Sequence, residues 1–323
     1  MSEPDRDDRC VCTDLVSVTE RAALAGGRSL GSGDEHAARE AGDAAARAAL
    51  DELALEGRVV IGGAPDSPLA EDSVVGRGGP VYELAVDSVQ GESVVARGGN
   101  GAISILAAAA PDSLRPVPAI YMKKIAVGAV AASHVSLSDP VAETIQHVAE
   151  AYGRRAGDLT ALVLDRDRHE DLIDELRRTG ARIKLIADGD ITAAMSSAIR
   201  GTNNHLLIGI GGAREAVIAA AALACLGGEI QVQFWPRSRS DVRLIEEYGF
   251  ADPEAVLSTS DLVRGDAIVV ATGISNGDLL SGVRYFEEGA RTHSIVLCSR
   301  CNRVRFVDST HNFSRDRRLQ VRL

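Results

Sequence analysis

The sequence predicts an α/β protein whose N-terminal half is of the α+β type. Two observations carry this prediction. After about residue 155, strand-like apolar runs alternate with helix-length amphipathic segments, which is typical of βαβ units around a parallel or mixed sheet. Before that point two helical patterns come first and a group of strands follows. The 323 residues, 45% of them hydrophobic, are enough for one large domain or two ordinary ones.

The N-terminal half begins with two predicted helices. Apolar residues recur at helical spacing over 15–30 and again over 34–55, with Gly31 and Gly33 between them. Asp34 stands where it can cap the second helix. Strands are predicted at 58–62, 81–86 and 102–108, with a Gly/Pro-rich loop after the first of them.

The C-terminal half alternates regularly. Its predicted strands are 159–164, 183–186 and 205–210, and its predicted helices are 169–179, 191–199 and 215–226. Loops that follow such strands form a crevice where ligands bind. We therefore expect a loose tail over 1–14, an α+β half over 15–155 and an α/β half over 156–323.

Charge and hydropathy exclude several function classes. The formal net charge of −11 and the pI near 5.2 disfavour nucleic acid and anionic membranes as partners. A run of about 18 apolar residues is lacking, and the N-terminus is acidic where a signal peptide would be basic and then apolar. We expect a cytoplasmic protein that binds a small ligand.

Five cysteines make disulfides unattractive in a reducing compartment. Cys10 with Cys12 and Cys298 with Cys301 could converge on zinc, since closely spaced thiolates suit tetrahedral coordination. The first spacing is tight, however, and the pairs lie at opposite ends of the chain. The spacing therefore favours incidental thiols, and Cys225 sits in an apolar run that favours packing.

Polar residues follow several predicted strands. Asp87 ends one strand, Arg166 and Arg168 follow another, and Asp188 and Asp190 follow a third. Two arginines at this spacing can clamp a phosphate, and the carboxylates suit sugar hydroxyls or a cation. Composition alone favours a solvated charged loop for the arginines, and an Asp-Gly turn is the ordinary explanation of the carboxylates.

A glycine-rich turn, Gly209-Ile-Gly211-Gly212, joins a predicted strand to a helix. The third glycine of a dinucleotide fingerprint would fall at Arg214, so no NAD is expected. A tight turn explains the glycines but not Glu215 at the opening of the helix.

Eight motifs in order resemble class II fructose-1,6-bisphosphatases, a bacterial family that can also act on sedoheptulose bisphosphate. They are VTERAALAGG (18–27), GSGD (31–34), AVDSVQG (85–91), YMKKIAVG (121–128), LDRDRH (164–169), DGDI (188–191), IGIGGAREAV (208–217) and ATGISNGDLL (271–280). The resemblance runs from about residue 15 to the C-terminus. It implies the layered α/β sandwich of the lithium-sensitive sugar phosphatases, a phosphorylated sugar as substrate and a homo-oligomer.

The resemblance also assigns site residues. The positions that match the family's phosphosugar-binding residues are Tyr121, Arg166, Arg168, Asp188, Asp190 and Gly273. Asp87 and Glu215 match two of its acidic metal ligands. The substrate half of the site is therefore expected to be complete.

Other metal-site positions depart from the family pattern. Arg39 stands where the family has an aspartate, Gly63 and Gln90 stand where it has glutamates, and Glu92 replaces a threonine expected to help the attacking water. A guanidinium would repel a cation, and magnesium needs several hard oxygen ligands. The resemblance implies Mg²⁺ or Mn²⁺, whereas these replacements argue against tight binding.

A rebuilt metal site is the alternative. Glu35 and Arg39 look like a charge-swapped form of the family's lysine and aspartate, four apart on one helix face. Glu35 and Glu92 could then join Asp87 and Glu215, and Asp66 could serve as a further substitute.

Three functions follow from these residues. The first is a divergent phosphosugar phosphatase with weak or altered activity. The second is a metal-independent isomerase or epimerase, in which Arg39 neutralises phosphate while Glu35, Glu92 or His36 moves protons. The third is a noncatalytic protein that binds a phosphosugar.

Overall fold

A computed structural model describes residues 10–313 of the chain and shows two mixed β-sheets with helices. The helices are α1 Val16–Gly26, α2 Glu35–Leu50, α3 Glu92–Ala96, α4 Val141–Tyr152, α5 Glu170–Thr179, α6 Asp190–Ala198, α7 Ala213–Leu226, α8 Arg239–Glu247 and α9 Thr259–Leu262. The strands are β1 Glu56–Ile61, β2 Val74–Val75, β3 Val81–Gln90, β4 Ile103–Ala109, β5 Tyr121–Val127, β6 Thr160–Leu164, β7 Arg182–Ile186, β8 Leu206–Gly212, β9 Glu229–Phe234, β10 Val256–Leu257, β11 Ala267–Gly273, β12 Arg284–Phe286, β13 Gly289–Cys298 and β14 Arg303–Asn312.

The first sheet has eight strands in the order β12-β13-β11-β4-β3-β1-β2, with β14 also paired to β13. Its pairings are antiparallel except between β1 and β3. The second sheet has six strands in the order β10-β9-β5-β8-β6-β7, and β6 runs parallel to both of its neighbours. The fold is thus the α/β sandwich that the sequence predicts.

Three of the four hydrophobic clusters within residues 10–313 separate the layers. One core lies between the first sheet and the helices α1 and α2. A second lies between the two sheets, around α6 and α7. A third lies between the second sheet and the helices α4 and α5. Successive side chains on a strand point to opposite faces of the sheet, so each strand contributes residues to the cores on both faces. On β3, Leu84 and Val86 pack under the first helices, whereas Ala85 faces α7. The layers are therefore helix, sheet, helix, sheet, helix.

Most predicted elements lie within a few residues of the observed ones. Asp34 caps α2 as expected, because its Oδ1 accepts a hydrogen bond of 3.0 Å from the Ala37 amide. The expected tail falls mainly on residues outside the described range. Its last part, Val11–Thr13, forms a 3-10 helix in which Val11 and Cys12 are buried.

Each of the two sheets contains strands from both sides of residue 155. The first sheet takes its strands β11 to β14 from the C-terminal half, and the second takes β5 from the N-terminal half. The halves therefore exchange strands, and the sequence boundary falls within one continuous layered structure. Within residues 10–313, no helix is long and apolar enough to cross a membrane.

Candidate active site

A polar cavity of about 520 Å³ opens where the first sheet meets α7, α6 and the loop after β6. It gathers residues that are far apart in sequence. The predicted site residues that line it are Glu35, Asp87, Gln90, Glu92, Tyr121, Arg166, Arg168, Asp188, Asp190 and Glu215. The strand ends and helix starts thus bring together most of the residues that the motifs single out.

The strand period decides where Asp87 points. Asp87 is two residues beyond Ala85 on β3, so it faces the core that contains α7. Glu215 lies in the first turn of α7. Gly91 follows β3 with φ of +85°, a left-handed conformation that turns the chain into α3 and places Glu92 at its start. One short segment therefore delivers two carboxylates to the cavity.

Asp87 and Glu215 lie together in a desolvated environment. Burial raises the pKa of the Asp87 carboxyl well above its usual range, and repulsion by Glu215, Glu92, Asp188 and Asp43 adds to the rise. Burial and repulsion by Asp190 and Asp188 likewise raise the pKa of Glu215, although Lys124 opposes the rise. The cavity concentrates negative charge at this wall.

Arg39 enters the same wall from α2. Its Nη1 donates to both carboxylate oxygens of Glu92, at 3.2 and 3.3 Å, and its Nη2 lies 3.0 Å from His36 Nδ1. Burial raises the pKa of Glu92, while Arg39 lowers it. A second cavity of about 240 Å³ contains Arg39 together with Asp87, Glu92 and Glu215. Arg39 and Glu92 therefore form an ion pair in a cavity that Asp87 also lines.

Asp43 was missed in the sequence. It lies four residues after Arg39 on α2, is 6% exposed, and lines the second cavity. Its carboxylate accepts hydrogen bonds from Ser67 Oγ at 2.7 Å and Ser88 Oγ at 2.5 Å. A Cβ atom added to Gly63 would lie 3.1 Å from Asp43 Oδ2. Asp43, one turn along the helix from Arg39, and Ser67 thus fill the space next to Gly63.

The opposite wall is basic and aromatic. The Arg168 guanidinium carbon lies 4.9 Å from the centre of the Tyr121 ring, and its Nη2 donates to the Ile210 carbonyl oxygen at 2.9 Å. The ring and the carbonyl hold this guanidinium in place at the cavity wall. Arg166 is held less tightly, by a bond of 2.8 Å from its Nη1 to the Asp165 carbonyl oxygen.

Two further carboxylates lie between the walls. Asp190 forms a buried ion pair with Lys124 Nζ at 2.5 Å, so that its charge is compensated. Asp188 accepts a bond of 2.7 Å from the Gly189 amide, and burial raises the pKa of its carboxyl. Asp188 is therefore the less compensated of the two.

His169 holds the Arg166 to Arg168 loop against β8. The imidazole is buried, its Nδ1 lies 2.7 Å from the Leu164 carbonyl oxygen, and its Nε2 accepts from the Ile210 amide at 2.8 Å. The second contact requires a neutral acceptor nitrogen, so Nδ1 carries the proton and donates to Leu164. Burial lowers the pKa of His169 in agreement with this tautomer.

Five of the candidate residues do not line the first cavity. Arg39 and Gly63 line the second cavity, which shares Asp87, Glu92 and Glu215 with the first, and His36 lines neither. Gly273 is buried at the end of β11, paired with Ile103. Asp66 lies in the exposed loop after Gly63, outside the residues that line either cavity.

The donor set at the acidic wall fits one hard divalent cation. Asp87 and Glu215 supply two carboxylates whose repulsion a cation would relieve. Gln90 Nε2 is buried without a hydrogen-bond partner among the described residues, and its Oε1 accepts from Thr192 at 3.4 Å. Reversing this amide keeps a bond to the Thr192 hydroxyl and puts a carbonyl oxygen where the unpartnered nitrogen lies. Glu92 is already paired with Arg39 and is not free to bind a metal. The wall therefore has too few ligands for more than one cation.

The family model described as "Bacterial fructose-1,6-bisphosphatase, glpX-encoded" matches residues 9–311. A protein of Trichodesmium erythraeum (strain IMS101), named D-fructose 1,6-bisphosphatase class 2/sedoheptulose 1,7-bisphosphatase, is 35% identical over 344 residues and covers 98% of this chain and 100% of its own length. A protein of the same name from Synechococcus sp. (strain JA-3-3Ab) is 38% identical over 340 residues and covers 96% of this chain and 98% of its own.

The fold and the matches together define a protein of the sugar-phosphatase class, and its cavity has a basic wall and an acidic wall. The matches extend over nearly the whole chain and the whole length of the relatives. The chain belongs to the bacterial, glpX-encoded fructose-1,6-bisphosphatase family, as the eight motifs indicate.

Proposed function

We propose that this protein hydrolyses a phosphate monoester of a sugar bisphosphate, with a lower turnover than a member of its family whose acidic ligands are complete. One observation carries the proposal: a single cavity joins an arginine wall, formed by Arg166 and Arg168, to a carboxylate wall, formed by Asp87 and Glu215. Its volume lies within the range of about 300–1,000 Å³ that is usual for small-ligand sites. Fructose 1,6-bisphosphate and sedoheptulose 1,7-bisphosphate, which the relatives' names contain, are the substrates to test first.

The arginine wall binds one phosphate group of the substrate. Arg168 is held between the Tyr121 ring and the Ile210 carbonyl, so little of its side-chain entropy is lost on binding. Arg166 adds a second guanidinium, and charge-assisted hydrogen bonds to phosphate are among the stronger ones in proteins. Asp188 lies in the same cavity, where its carboxylate accepts hydrogen bonds from sugar hydroxyls.

The acidic wall receives the phosphate that is hydrolysed. Asp87 and Glu215, with the Gln90 carbonyl oxygen, would hold one Mg²⁺ or Mn²⁺ ion. Such an ion neutralises the phosphate charge and lowers the pKa of water. Asp87 and Glu215 must both be ionised to hold it, and their raised pKa values mean that proton release accompanies binding.

Glu92 is the residue positioned to accept the proton of the attacking water. Its raised pKa brings the carboxyl closer to the range in which a general base works at neutral pH. Arg39 fixes the carboxylate by donating to both of its oxygens. The water oxygen forms a bond to phosphorus, the ester oxygen leaves and is protonated, and inorganic phosphate and the sugar alcohol are released.

Arg39 is also the reason for the proposed low turnover. Its guanidinium lies in the cavity that contains Asp87 and Glu215, where its positive charge opposes a cation. The relatives are named phosphatases, which favours hydrolysis over isomerisation and over a purely binding role.

Phosphate release by the full-length protein tests the proposal. We expect release from one of the two sugar bisphosphates that depends on Mg²⁺ or Mn²⁺, with a turnover below about 1 s⁻¹, the lower end of the usual range. Glu92→Gln should abolish release and leave substrate affinity unchanged. Conversion of the sugar without phosphate release, or binding without any turnover, would contradict the proposal.

A further inference from the structure

We propose that Cys10, Cys12, Cys298 and Cys301 form a structural zinc site. Their four sulfur atoms all lie within 4.8 Å of one another, in the part of the chain that the structure describes. The spacing in the sequence favours incidental thiols, whereas the structure brings all four thiols together. The segment before α1 packs against the β13–β14 turn, so the two pairs converge from opposite ends of the chain.

The geometry of the sulfur atoms suits zinc. With Zn–S bonds of about 2.3 Å in a tetrahedron, neighbouring sulfur atoms are separated by about 3.8 Å. The Cys10 and Cys298 sulfur atoms are 3.6 Å apart. The other separations, at up to 4.8 Å, require only small side-chain rotations to close around an ion.

The β13–β14 turn has the backbone arrangement of a metal-binding loop. Cys298 is the last residue of β13, and Cys301 follows after two residues of the turn. The Cys301 amide donates to Cys298 Sγ at 3.3 Å, and Asn302 takes a left-handed φ of +48° before β14 begins. An amide that points at sulfur stabilises a thiolate, as outer-shell donors do in metal sites.

The other pair lies on a fixed platform. Val11, Cys12 and Leu15 are buried in the core between the first helices and the first sheet, which holds the 3-10 helix against the turn. Arg305 Nη1 approaches Cys12 Sγ at 3.5 Å. Zinc with four thiolates carries two net negative charges, which this guanidinium partly offsets, and the four thiol protons pass to solvent.

The site has a structural role that is separate from hydrolysis. A four-thiolate site leaves no ligand position for water, as in closed structural zinc sites. None of the four cysteines is among the residues that line the two cavities of the active site. Zinc here joins the N-terminal segment to the last hairpin, and its binding energy contributes directly to folding stability.

Metal analysis of the full-length protein tests the site. Protein produced with zinc supplied and dialysed against buffer should contain about one zinc ion per chain. Cys301→Ser, at a partly exposed position, should lower the zinc content at least tenfold and the melting temperature by several degrees. Cys225→Ser is the matched control, because Cys225 lies outside the cluster and serine retains a donor to the Ala267 carbonyl.

Two further measurements keep the test independent of folding and of the active site. Wild-type protein loaded with cobalt should show the thiolate charge-transfer and d–d absorption bands of a tetrahedral sulfur site. Asp87→Asn should retain the full zinc content, which separates this site from a cation at the acidic wall. Zinc content that falls with Asp87→Asn but not with Cys301→Ser, disulfides in protein purified without oxidant, or iron in place of zinc would each overturn the proposal.

Discussion

Gly63 lies beside Ser67 and Asp43 in the second cavity, and a substitution at Gly63 tests how closely these residues pack. A Cβ atom at this position would lie 2.5 Å from Ser67 Oγ and 2.6 Å from Ser67 Cβ. The Ser67 hydroxyl can rotate, but its Cβ can move only with the backbone. Gly63→Ala must therefore displace the loop that follows β1 or break the bond from Ser67 to Asp43.

The cost follows from these contacts. Overpacking by one methyl group typically destabilises a protein by about 1–3 kcal/mol. Rotation of Ser67 away from the Asp43 carboxylate would lose a hydrogen bond to a charged group, worth about 1.5–3 kcal/mol. The protein will take the cheaper route, so we expect Gly63→Ala to cost about 2 kcal/mol.

A double-mutant cycle in thermal or urea unfolding measures this. Ser67→Gly removes both clashing atoms, so Gly63→Ala should cost little in that background, with a coupling of about 1–2 kcal/mol. Gly157→Ala is the control, because the nearest atom to its added Cβ is the Gly180 carbonyl oxygen at 3.6 Å. Costs that add within about 0.5 kcal/mol would refute the claim that Ser67 occupies the space beside Gly63.

Two further predictions concern the walls of the cavity. Asp87→Asn should abolish phosphate release yet raise the free energy of unfolding at neutral pH by about 0.5–2 kcal/mol, because the raised pKa of Asp87 makes its ionisation unfavourable in the folded protein. This gain should shrink as the pH falls and vanish below the ordinary pKa of aspartate, where wild-type Asp87 is protonated in both states; a gain that persists in acid would exclude the electrostatic cause. Arg166→Ala with Arg168→Ala should weaken phosphosugar binding at least tenfold, or about 1.4 kcal/mol, in calorimetry. Arg178→Ala, at an exposed position on α5, controls for the loss of positive charge, and unchanged affinity in the double variant would remove both arginines from the site.

The sequence predicts the layers well because strand and helix periods are local properties. Asp87 was expected to end a strand, but it lies within β3, which continues to Gln90. The polar residues after the other strands meet at one cavity. Asp43 was missed because an acid on an amphipathic helix gives no local sign that it is buried. Only the packing of Ser67 and Ser88 against it reveals its environment.

Long-range pairing accounts for the remaining differences. The exchange of strands between the halves depends on contacts between distant segments, such as β4 with β11. The convergence of Cys10 with Cys298 depends on the same sheet, because β13 brings the last hairpin beside the N-terminal segment. The spacing of residues along the sequence does not show which distant segments pair.

Substituting the family's residues at the altered positions tests the central claim, that Arg39 and the missing ligands limit hydrolysis. The variant combines Arg39→Asp, Gly63→Glu and Gln90→Glu, with Ser67→Gly to make room at position 63. Glu35→Lys should be tested alongside, to recreate the helix pair of the family. Each single reversal should do much less, because a hard divalent cation needs several ligands at once.

The most direct measurement is the rate of phosphate release from fructose 1,6-bisphosphate at saturating Mn²⁺, for the wild type and the combined variant. We predict a wild-type turnover below about 1 s⁻¹ and an increase of at least about tenfold in the variant, equivalent to about 1.4 kcal/mol of activation free energy. A wild-type turnover of about 1–1,000 s⁻¹, or a folded variant that binds the sugar bisphosphate and gains no activity, would contradict the claim.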